Sequence, residues 1–377
     1  MRARFASPLP VISMVVSGAA LPVGPALVQA LAARTFDMSD QATLAVGLSA
    51  GAFLSGVVNA VVAEARLADA AAAARWSSSG SRFAVLAAAL GAGSMVTSPQ
   101  MVTVVIGFPL LMIALQLGRT DSVVLGSWRT ESAAAGLLVL FGSTALVLVP
   151  VIGSGAFGLL ALGMFLPVAL RATVHPVERG LPVPCLRRLL IGAETCVVAA
   201  VPLVLTALVL AILGPGTAVA FRLLLTVLGV LQPLLGYLRT VLLARAASRL
   251  TAVLTVASAL ALATVVVAHT VGIPRLLFGA GWSMTTSTLV AACVWKVASI
   301  PSTIPFAALR RRGAVVDVLV LRGALSALSV LAATIAMVVT HSLLVVLCAL
   351  TVVELVAFLA YRWRAAGERL SPSLSLS

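Results

Sequence analysis

The sequence predicts an all-α polytopic membrane protein of about twelve transmembrane helices, in two six-helix lobes with both termini in the cytoplasm. Hydrophobic residues make up 61% of the 377-residue chain and charged residues only 10%. A chain of this composition has too little polar surface to coat a water-soluble body, so we expect lipid to solvate it. The apolar residues also fall in long runs, and most arginines lie between alternate runs.

Twelve apolar runs can be placed along the chain, each close to the ~20 residues that cross a bilayer as a helix. The predicted lobes are 1–172 and 189–362, separated by a basic cytoplasmic loop at 173–188 and followed by a cytoplasmic tail at 363–377. The predicted spans are 8–33, 42–63, 82–98, 101–126, 131–151 and 154–171 in the first lobe, and 189–213, 218–246, 251–271, 282–309, 314–339 and 341–362 in the second.

The distribution of basic residues predicts the orientation. Eighteen arginines lie at one set of span ends, whereas only Arg34 and Arg275 lie at the other set. Because Lys and Arg are enriched in cytoplasmic connections, this asymmetry predicts cytoplasmic termini. It also accounts for the formal charge of +14 without a nucleic-acid partner.

The two halves resemble weak copies of each other. The stretch 34–51 leads into the second span much as 213–229 leads into the eighth. The stretches 109–128 and 301–319 both place a proline before arginine near the predicted cytoplasmic end of a span. Two duplicated lobes with a substrate site between them are typical of secondary transporters.

Lys296 is the sole lysine beside twenty-four arginines, and it falls halfway along the predicted span 282–309. A charge at the bilayer centre costs at least about 2.5–3.5 kcal/mol, so it needs a wet cavity or a partner. Helical spacing places Ser299 and Thr303 on the same face. The pattern indicates either a site for an anionic ligand or a structural ion pair with Glu354, which lies midway along the last span. Glu354 is alternatively a proton or cation site.

Two further arginines within spans are candidate ligand contacts. Arg222 in span 218–246 is either a ligand contact or an interfacial arginine whose side chain reaches toward the lipid headgroups. Arg119 in span 101–126 could guide an anionic headgroup from the cytoplasm, or pair with Asp121 or a lipid phosphate.

Two polar residues complete the candidate set. Asn59 ends a stripe of small residues in the second span, which suits either close helix packing or a cavity wall. Glu194 in span 189–213 lies seven residues after Arg187, so a local salt pair with that arginine is the alternative to a coupling site. The four cysteines and three histidines have no metal-ligand spacing, so the sequence predicts no metal, no cofactor and no enzymatic site.

Several stretches resemble Wzx-like polysaccharide flippases of the multidrug/oligosaccharidyl-lipid/polysaccharide exporter (MOP) superfamily. They are RTFDMSDQATLAVGLSAGAF at the start of the second span, PRLLFGAGWSMTTSTLV before the tenth, and LQLGR at 115–119. The resemblance covers most of the chain.

The resemblance implies a carrier that moves a polyprenyl-pyrophosphate-linked glycan across the bacterial cytoplasmic membrane by alternating access. It implies a cationic cavity, to which Lys296, Arg222 and Arg119 would contribute. Its implied partners are the lipid-linked glycan, membrane lipid, and glycosyltransferases or a polymerase of the same pathway. The sequence departs from drug exporters of that superfamily, because it lacks the first-helix carboxylate common in the cation-coupled members.

Three alternatives remain from the sequence. A drug or metabolite exporter, of the same superfamily or of the major facilitator type, shares the predicted helix count. A membrane glycosyltransferase would use acidic residues such as Asp37 and Asp40 in the first outer loop, but every outer loop is short. A membrane scaffold that transports nothing is the third.

Overall fold

The computed structural model describes residues 8–65, 80–174, 185–229, 248–303, 305, 306, 309 and 315–367. These residues are almost entirely helical and contain no strand. A helix overlaps each of the twelve predicted spans, which we number α1 to α12. They are α1 Pro8–Thr35, α2 Met38–Asn59, α3 Gly80–Thr97, α4 Met101–Leu125, α5 Trp128–Ile152, α6 Gly155–Val174, α7 Cys185–Leu213, α8 Pro215–Leu228, α9 Ser248–Thr270, α10 Thr286–Ser299, α11 Val315–Thr340 and α12 Leu343–Gly367.

Shorter elements modify two of these helices. A π-helical segment, Ala60–Glu64, continues α2, and a short helix with a 3₁₀ turn, Ile273–Phe278 and Gly279–Gly281, precedes α10. The helices on either side of the predicted central loop, 173–188, extend into it, since α6 runs to Val174 and α7 begins at Cys185. The remaining part of that loop, 175–184, lies outside the described residues.

Seven of the described helices are long and apolar enough to cross a membrane, and eight if Ser258–Thr270 and Ile273–Gly281 form one bent span. Many of their large apolar side chains face outward, such as Val147 and Val151 on α5, which are 74% and 82% exposed. Apolar side chains exposed in this number suit a lipid environment. The number of crossings and the side on which the termini lie stay predictions.

The described chain forms two compact units. Unit 1 comprises Met1–Ala207 and Leu277–Trp282, and unit 2 comprises Leu208–Leu276 and Ser283–Ser377. This division places most of α7 with the first six helices, whereas the sequence predicts a boundary in the loop before α7. The two predicted lobes stay a prediction.

Unit 1 has one continuous core built from α1 to α6, with α3 against α4, α2 against α4, and α5 against α6. Glycines allow these helices to approach closely. A Cβ added to Gly91 on α3 would lie 2.6 Å from the carbonyl oxygen of Gly107 on α4. Small residues at helix contacts are how membrane helices gain packing where lipid removes the hydrophobic drive for association.

Unit 2 is organised around α12, which packs against both α10 and α11. α10 also contacts α8 and α9. A core cluster joins Phe306 and Leu309 to Val318 on α11 and to Tyr361 on α12. The helices that carry Arg222, Lys296 and Glu354 therefore lie within one unit, at α8, α10 and α12.

Candidate functional site

A buried ion pair joins two helix ends in unit 1. Glu131, in the first turn of α5, is 0% exposed, and Arg171, in the last turn of α6, is 6% exposed. Arg171 Nε donates to Glu131 Oε1 at 2.7 Å, and Arg171 Nη2 donates to Glu131 Oε2 at 3.0 Å. Each charge also lies at the helix end whose dipole favours it. This bidentate geometry is the strong form of an arginine–carboxylate pair.

Arg119 on α4 approaches the same carboxylate. Its Nε lies 4.0 Å from Glu131 Oε2, and its side chain is 19% exposed. The carboxylate near Arg119 is therefore Glu131, not the predicted Asp121. One carboxylate thus faces two guanidinium groups, and the cluster Arg119–Glu131–Arg171 carries a net positive charge.

Gly118 makes room for this cluster. A Cβ at Gly118 would lie 3.1 Å from Arg171 Cδ, so the arginine stem passes directly over the glycine. A separation of 3.1 Å is shorter than the usual distance between a Cβ atom and its neighbours. The absence of a side chain on α4 lets Arg171 reach Glu131.

Asn59 belongs to the packing between α2 and α4. The stripe to which it belongs begins with Gly47 and Gly51, whose added Cβ atoms would lie 2.9 Å from Val105 and 3.2 Å from Pro109. Asn59 is buried, and its Oδ1 accepts a 2.8 Å hydrogen bond from the Thr120 hydroxyl on α4. The glycines of the stripe therefore pack α2 against α4, and Asn59 at the end of the stripe adds a hydrogen bond to the same contact.

Glu194 is almost fully buried on α7 in unit 1, at 1% exposure. Its neighbour Ile191 packs against Ala60, the first residue of the π-helical segment of α2, and against Ala65, which follows that segment. The side chain of its predicted partner Arg187 lies outside the described residues. π-helical turns recur at functional sites, so this region of unit 1 is a candidate that hydropathy alone does not reveal.

Lys296 lies in the last turn of α10, not halfway along an uninterrupted helix as the sequence predicts. α10 ends at Ser299 because Pro301 has no N–H to continue the backbone ladder. The half-buried Lys296 is consequently close to the carbonyl end of a helix, where a cation is favoured.

Hydroxyl groups satisfy the carbonyls that this helix end releases. The Ile300 N–H donates to Val297 O and not to Lys296 O, its usual acceptor in an α-helix. Lys296 O accepts instead from the Ser299 hydroxyl at 2.8 Å. The Thr303 hydroxyl donates to Ile300 O at 2.6 Å. Ser299 and Thr303 thus donate their protons to the backbone, and they can offer an incoming group their oxygen lone pairs.

Trp295 connects Lys296 with Glu354. The Lys296 ammonium lies 4.3 Å from the centre of the Trp295 ring, and the Trp295 side chain also interacts favourably with the Glu354 carboxylate on α12. The ammonium and the carboxylate attract each other as well. Lys296 and Glu354 do not form an ion pair of 4.0 Å or less, unlike three other pairs of described residues. The indole therefore stabilises both charges without their direct contact.

Arg222 lies on α8 and is 6% exposed, with fully buried Phe221 and Leu224 on the same helix. Its carbonyl accepts from the Thr226 hydroxyl at 3.0 Å. The remainder of the predicted Arg222 face, beyond Gly229, lies outside the described residues. Because α8 contacts α10, unit 2 carries a cation on each of two neighbouring helices.

The acidic pair Asp37 and Asp40 at the start of α2 has a structural role. Asp37 is the N-cap of α2, and its carboxylate accepts from the Asp40 N–H at 2.8 Å. A capping aspartate of this kind is common at helix starts. The described residues contain no group of three or more His, Cys, Asp or Glu side chains that could hold a metal ion.

Sequence reasoning missed Glu131, Arg171 and Trp295. A usable signal exists for the first two, because the connection between α4 and α5 and the end of α6 were predicted on the same side of the membrane. Acidic and basic residues at helix ends that share a side are candidates for pairing. Trp295 has no such signal, since an aromatic residue beside a lysine is ordinary in a membrane helix.

No protein-family model matches the sequence, and no curated protein is similar enough to count as a relative. Solved structures do match. One is the outward-facing conformation of a multidrug resistance MATE family transporter of the MOP superfamily, with a TM-score of 0.61, 14% identity and 96% of each chain covered. The inward-facing conformation of such a transporter matches with a TM-score of 0.52, 16% identity, and 97% of this chain and 96% of that chain covered.

A third structure is a MOP superfamily transporter from Pyrococcus furiosus, whose reversed binding-pocket polarity suggests a different function. It matches with a TM-score of 0.56, 12% identity and 96% of each chain covered. The chain thus has the fold of the MOP transporter superfamily and is a multi-pass membrane protein. These neighbours are transporters rather than enzymes, consistent with the absence of enzymatic motifs.

Proposed function

We propose that this protein is a flippase that moves a polyprenyl-pyrophosphate-linked oligosaccharide across the bacterial cytoplasmic membrane for polysaccharide biosynthesis. It would work by alternating access, from the inner to the outer leaflet. The supporting observation is the pair of cations in unit 2, the half-buried Lys296 on α10 and the buried Arg222 on the neighbouring α8.

The electrostatics favour an anionic cargo. Two unit charges 4 Å apart interact by about 4 kcal/mol at an effective dielectric constant of about 20. A pyrophosphate must lose water to cross the bilayer, and fixed cations offset part of that cost. Lys296 suits this role because its ammonium is a compact point charge on a flexible stem.

The other candidate residues take secondary roles in this proposal. Arg222 supplies a second cation in unit 2, and Arg119 and Asn59 are the candidate cargo contacts within unit 1. Ser299 and Thr303 offer lone pairs beside Lys296. Glu354 balances Lys296 while the cargo is absent, or serves as the coupling site, and Glu194 is the second coupling candidate.

The test is mass spectrometry of lipid-linked glycans in the source bacterium carrying the wild type, a deletion, or Lys296→Met. Accumulation of one polyprenyl-pyrophosphate glycan in both altered strains is the expected result. Lys296→Arg, which keeps the charge, is the matched control and should restore part of the flux. Western blotting of membranes confirms that each variant is present in equal amount.

Accumulation in the deletion alone would keep the flippase and remove Lys296 from the transport path. Unchanged glycans in every strain, with the surface polysaccharide intact, would overturn the flippase proposal.

The second candidate is a drug or metabolite exporter of the same fold. The observation in its favour is the Trp295–Glu354 contact, because a carboxylate beside an aromatic ring also suits an organic cation. Two of the structural neighbours are described as multidrug resistance transporters. Increased sensitivity to cationic drugs in the deletion and in Glu354→Gln, with normal glycans, would favour this alternative.

A further inference from the structure

We infer that the cluster Arg119–Glu131–Arg171 in unit 1 is a binding site for a phosphate-class anion, which the protein uses to capture a phosphorylated headgroup before transport. This inference rests on the proposed function for its purpose, but the binding site itself does not depend on it. The predicted orientation places the cluster on the cytoplasmic side, where a lipid-linked cargo would arrive.

The charge balance is the first argument. Glu131 neutralises one of the two guanidinium groups, and the bidentate bonds assign it to Arg171. Arg119 lies 4.0 Å away from the same carboxylate, beyond hydrogen-bond distance. The cluster therefore retains one positive charge, which a single anionic oxygen would balance.

The unused donors are the second argument. Arg171 Nη1 and Arg119 Nε are both buried and have no hydrogen-bond acceptor among the described residues. Arg171 as a whole is only 6% exposed, so the N–H groups on its Nη1 cannot simply be left to bulk water. A buried N–H without an acceptor is unfavourable, and an anionic ligand would supply the missing acceptor.

Access is the third argument. The Arg119 side chain is 19% exposed, whereas Glu131 and Arg171 are almost completely enclosed. An anion can therefore approach along Arg119 and meet a site whose second guanidinium is already held rigidly by Glu131. Planar guanidinium groups bind phosphate oxygens through paired N–H donors.

The rigidity of Arg171 matters for affinity. Its stem passes over Gly118, and its head is fixed at two points by Glu131. A preorganised donor loses less conformational entropy on binding than a free surface arginine does. We therefore expect this site to bind a phosphate more tightly than an isolated surface arginine does.

The experiment measures binding of two probes to purified full-length protein. Sodium pyrophosphate is titrated at constant ionic strength while the thermal unfolding midpoint is followed. In parallel, native mass spectrometry compares protein from nanodiscs of phosphatidylcholine alone with protein from nanodiscs containing added phosphatidylglycerol. The first arm reports a free phosphate compound, and the second reports a lipid headgroup.

The variants are Arg119→Gln, Arg119→Lys and a matched control, Arg129→Gln. Arg129 is an exposed arginine in the first turn of α5, stacked on Trp128, so its loss removes the same charge near the same helix ends. Arg119 makes no hydrogen bond to Glu131, and its replacement should leave the buried pair and the fold intact.

We expect Arg119→Gln to weaken binding by about tenfold, the loss of about 1.4 kcal/mol. Arg119→Lys should fall between Arg119→Gln and the wild type, and Arg129→Gln should match the wild type. Equal weakening in Arg119→Gln and Arg129→Gln would overturn the site, because general charge would then explain the binding. Failure of both probes to bind the wild type would overturn it as well.

The two proposals fail separately. Normal lipid-linked glycans in the deletion strain would overturn the flippase but would not affect an anion site demonstrated on purified protein. Loss of the anion site together with glycan accumulation in the deletion would leave the flippase standing without this capture step.

Discussion

The two units hold their charged residues in different ways. In unit 1, Glu131 and Arg171 are in direct bidentate contact and almost completely buried. In unit 2, Lys296 and Glu354 are both half-buried, and the Trp295 side chain contacts each of them. Direct pairing fixes a geometry, whereas charges separated by an indole can exchange partners at lower cost. The comparison suggests a structural pair with a spare cation in unit 1, and a pair in unit 2 that a ligand can compete for.

Glycines within helices differ in how closely another helix approaches them. On α3 and α4 of unit 1, Cβ atoms added to Gly91 and Gly107 would meet backbone oxygen at 2.6 and 2.7 Å. A Cβ at Gly93 of the same unit, or at Gly216 or Gly323 of unit 2, would meet nothing within 4 Å. The close α3–α4 contact therefore depends on Gly91 and Gly107 in particular.

The largest expected effect is that of breaking the buried pair in unit 1. Glu131→Gln leaves two guanidinium groups without a carboxylate, and removing one partner of a buried ion pair costs about 3–5 kcal/mol. The free energy of unfolding, measured in detergent by SDS titration, should fall by that amount. Asp317→Asn is the control in unit 2, where Asp317 pairs with Arg364 at 3.0 Å on a surface about half exposed.

An exposed pair contributes about 0–1 kcal/mol, so the control should lose little stability. Equal losses in the two variants would show that burial does not distinguish these ion pairs, and the contrast between the units would no longer hold.

The next effect tests the close packing in unit 1. Gly91→Ala places a methyl group against the Gly107 carbonyl, and overpacking of this kind costs about 1–3 kcal/mol. Gly93→Ala, two residues along the same helix, meets nothing within 4 Å and should be neutral or slightly stabilising. The thermal unfolding midpoint of both variants provides the comparison, and a stable Gly91→Ala protein would refute the tight α3–α4 contact.

The third prediction distinguishes a structural pair of Lys296 with Glu354 from a direct contact of Lys296 with the cargo. If Lys296 contacts cargo, Lys296→Met should lower flux about tenfold, and adding Glu354→Gln should not restore it. One lost charge-assisted contact corresponds to roughly 1.5–3 kcal/mol, which makes a tenfold loss a conservative expectation. Glycan accumulation in the two single variants and the double variant forms a mutant cycle.

Recovery of flux in the double variant would assign Lys296 and Glu354 to a structural pair alone. Removing both charges then costs little, whereas removing one leaves the other uncompensated.

Much of the fold follows from the sequence because membrane helices are governed by length and hydropathy. A helix overlaps every predicted span. The sequence still placed Lys296 at mid-helix, because hydropathy continues through 300–309 while the backbone ladder stops at Ser299. Apolar composition measures solvation, and it does not show where hydrogen bonds change register.

The site was harder to predict for a different reason. Arg171 and Glu131 are forty residues apart, and their pairing depends on the packing of α5 against α6 and on the space above Gly118. The candidates chosen for being charged within a span, such as Lys296 and Glu354, were recognisable because lipid penalises every isolated charge. Residues at helix ends carry no such penalty, so their burial becomes visible only in the folded chain.

The π-helical segment Ala60–Glu64 continues α2 along both α4 and α7. Before it, Gly47 lies against Val105 of α4 and the Ser49 hydroxyl bonds to Thr206 of α7, and within it Val61 lies near Gly192 of α7. A π turn holds one residue more than an α turn, so it advances the helix by about 100° of phase. Deleting one residue from this segment would therefore rotate the part of α2 that follows it by about the same angle and change the side chains that it presents to α7.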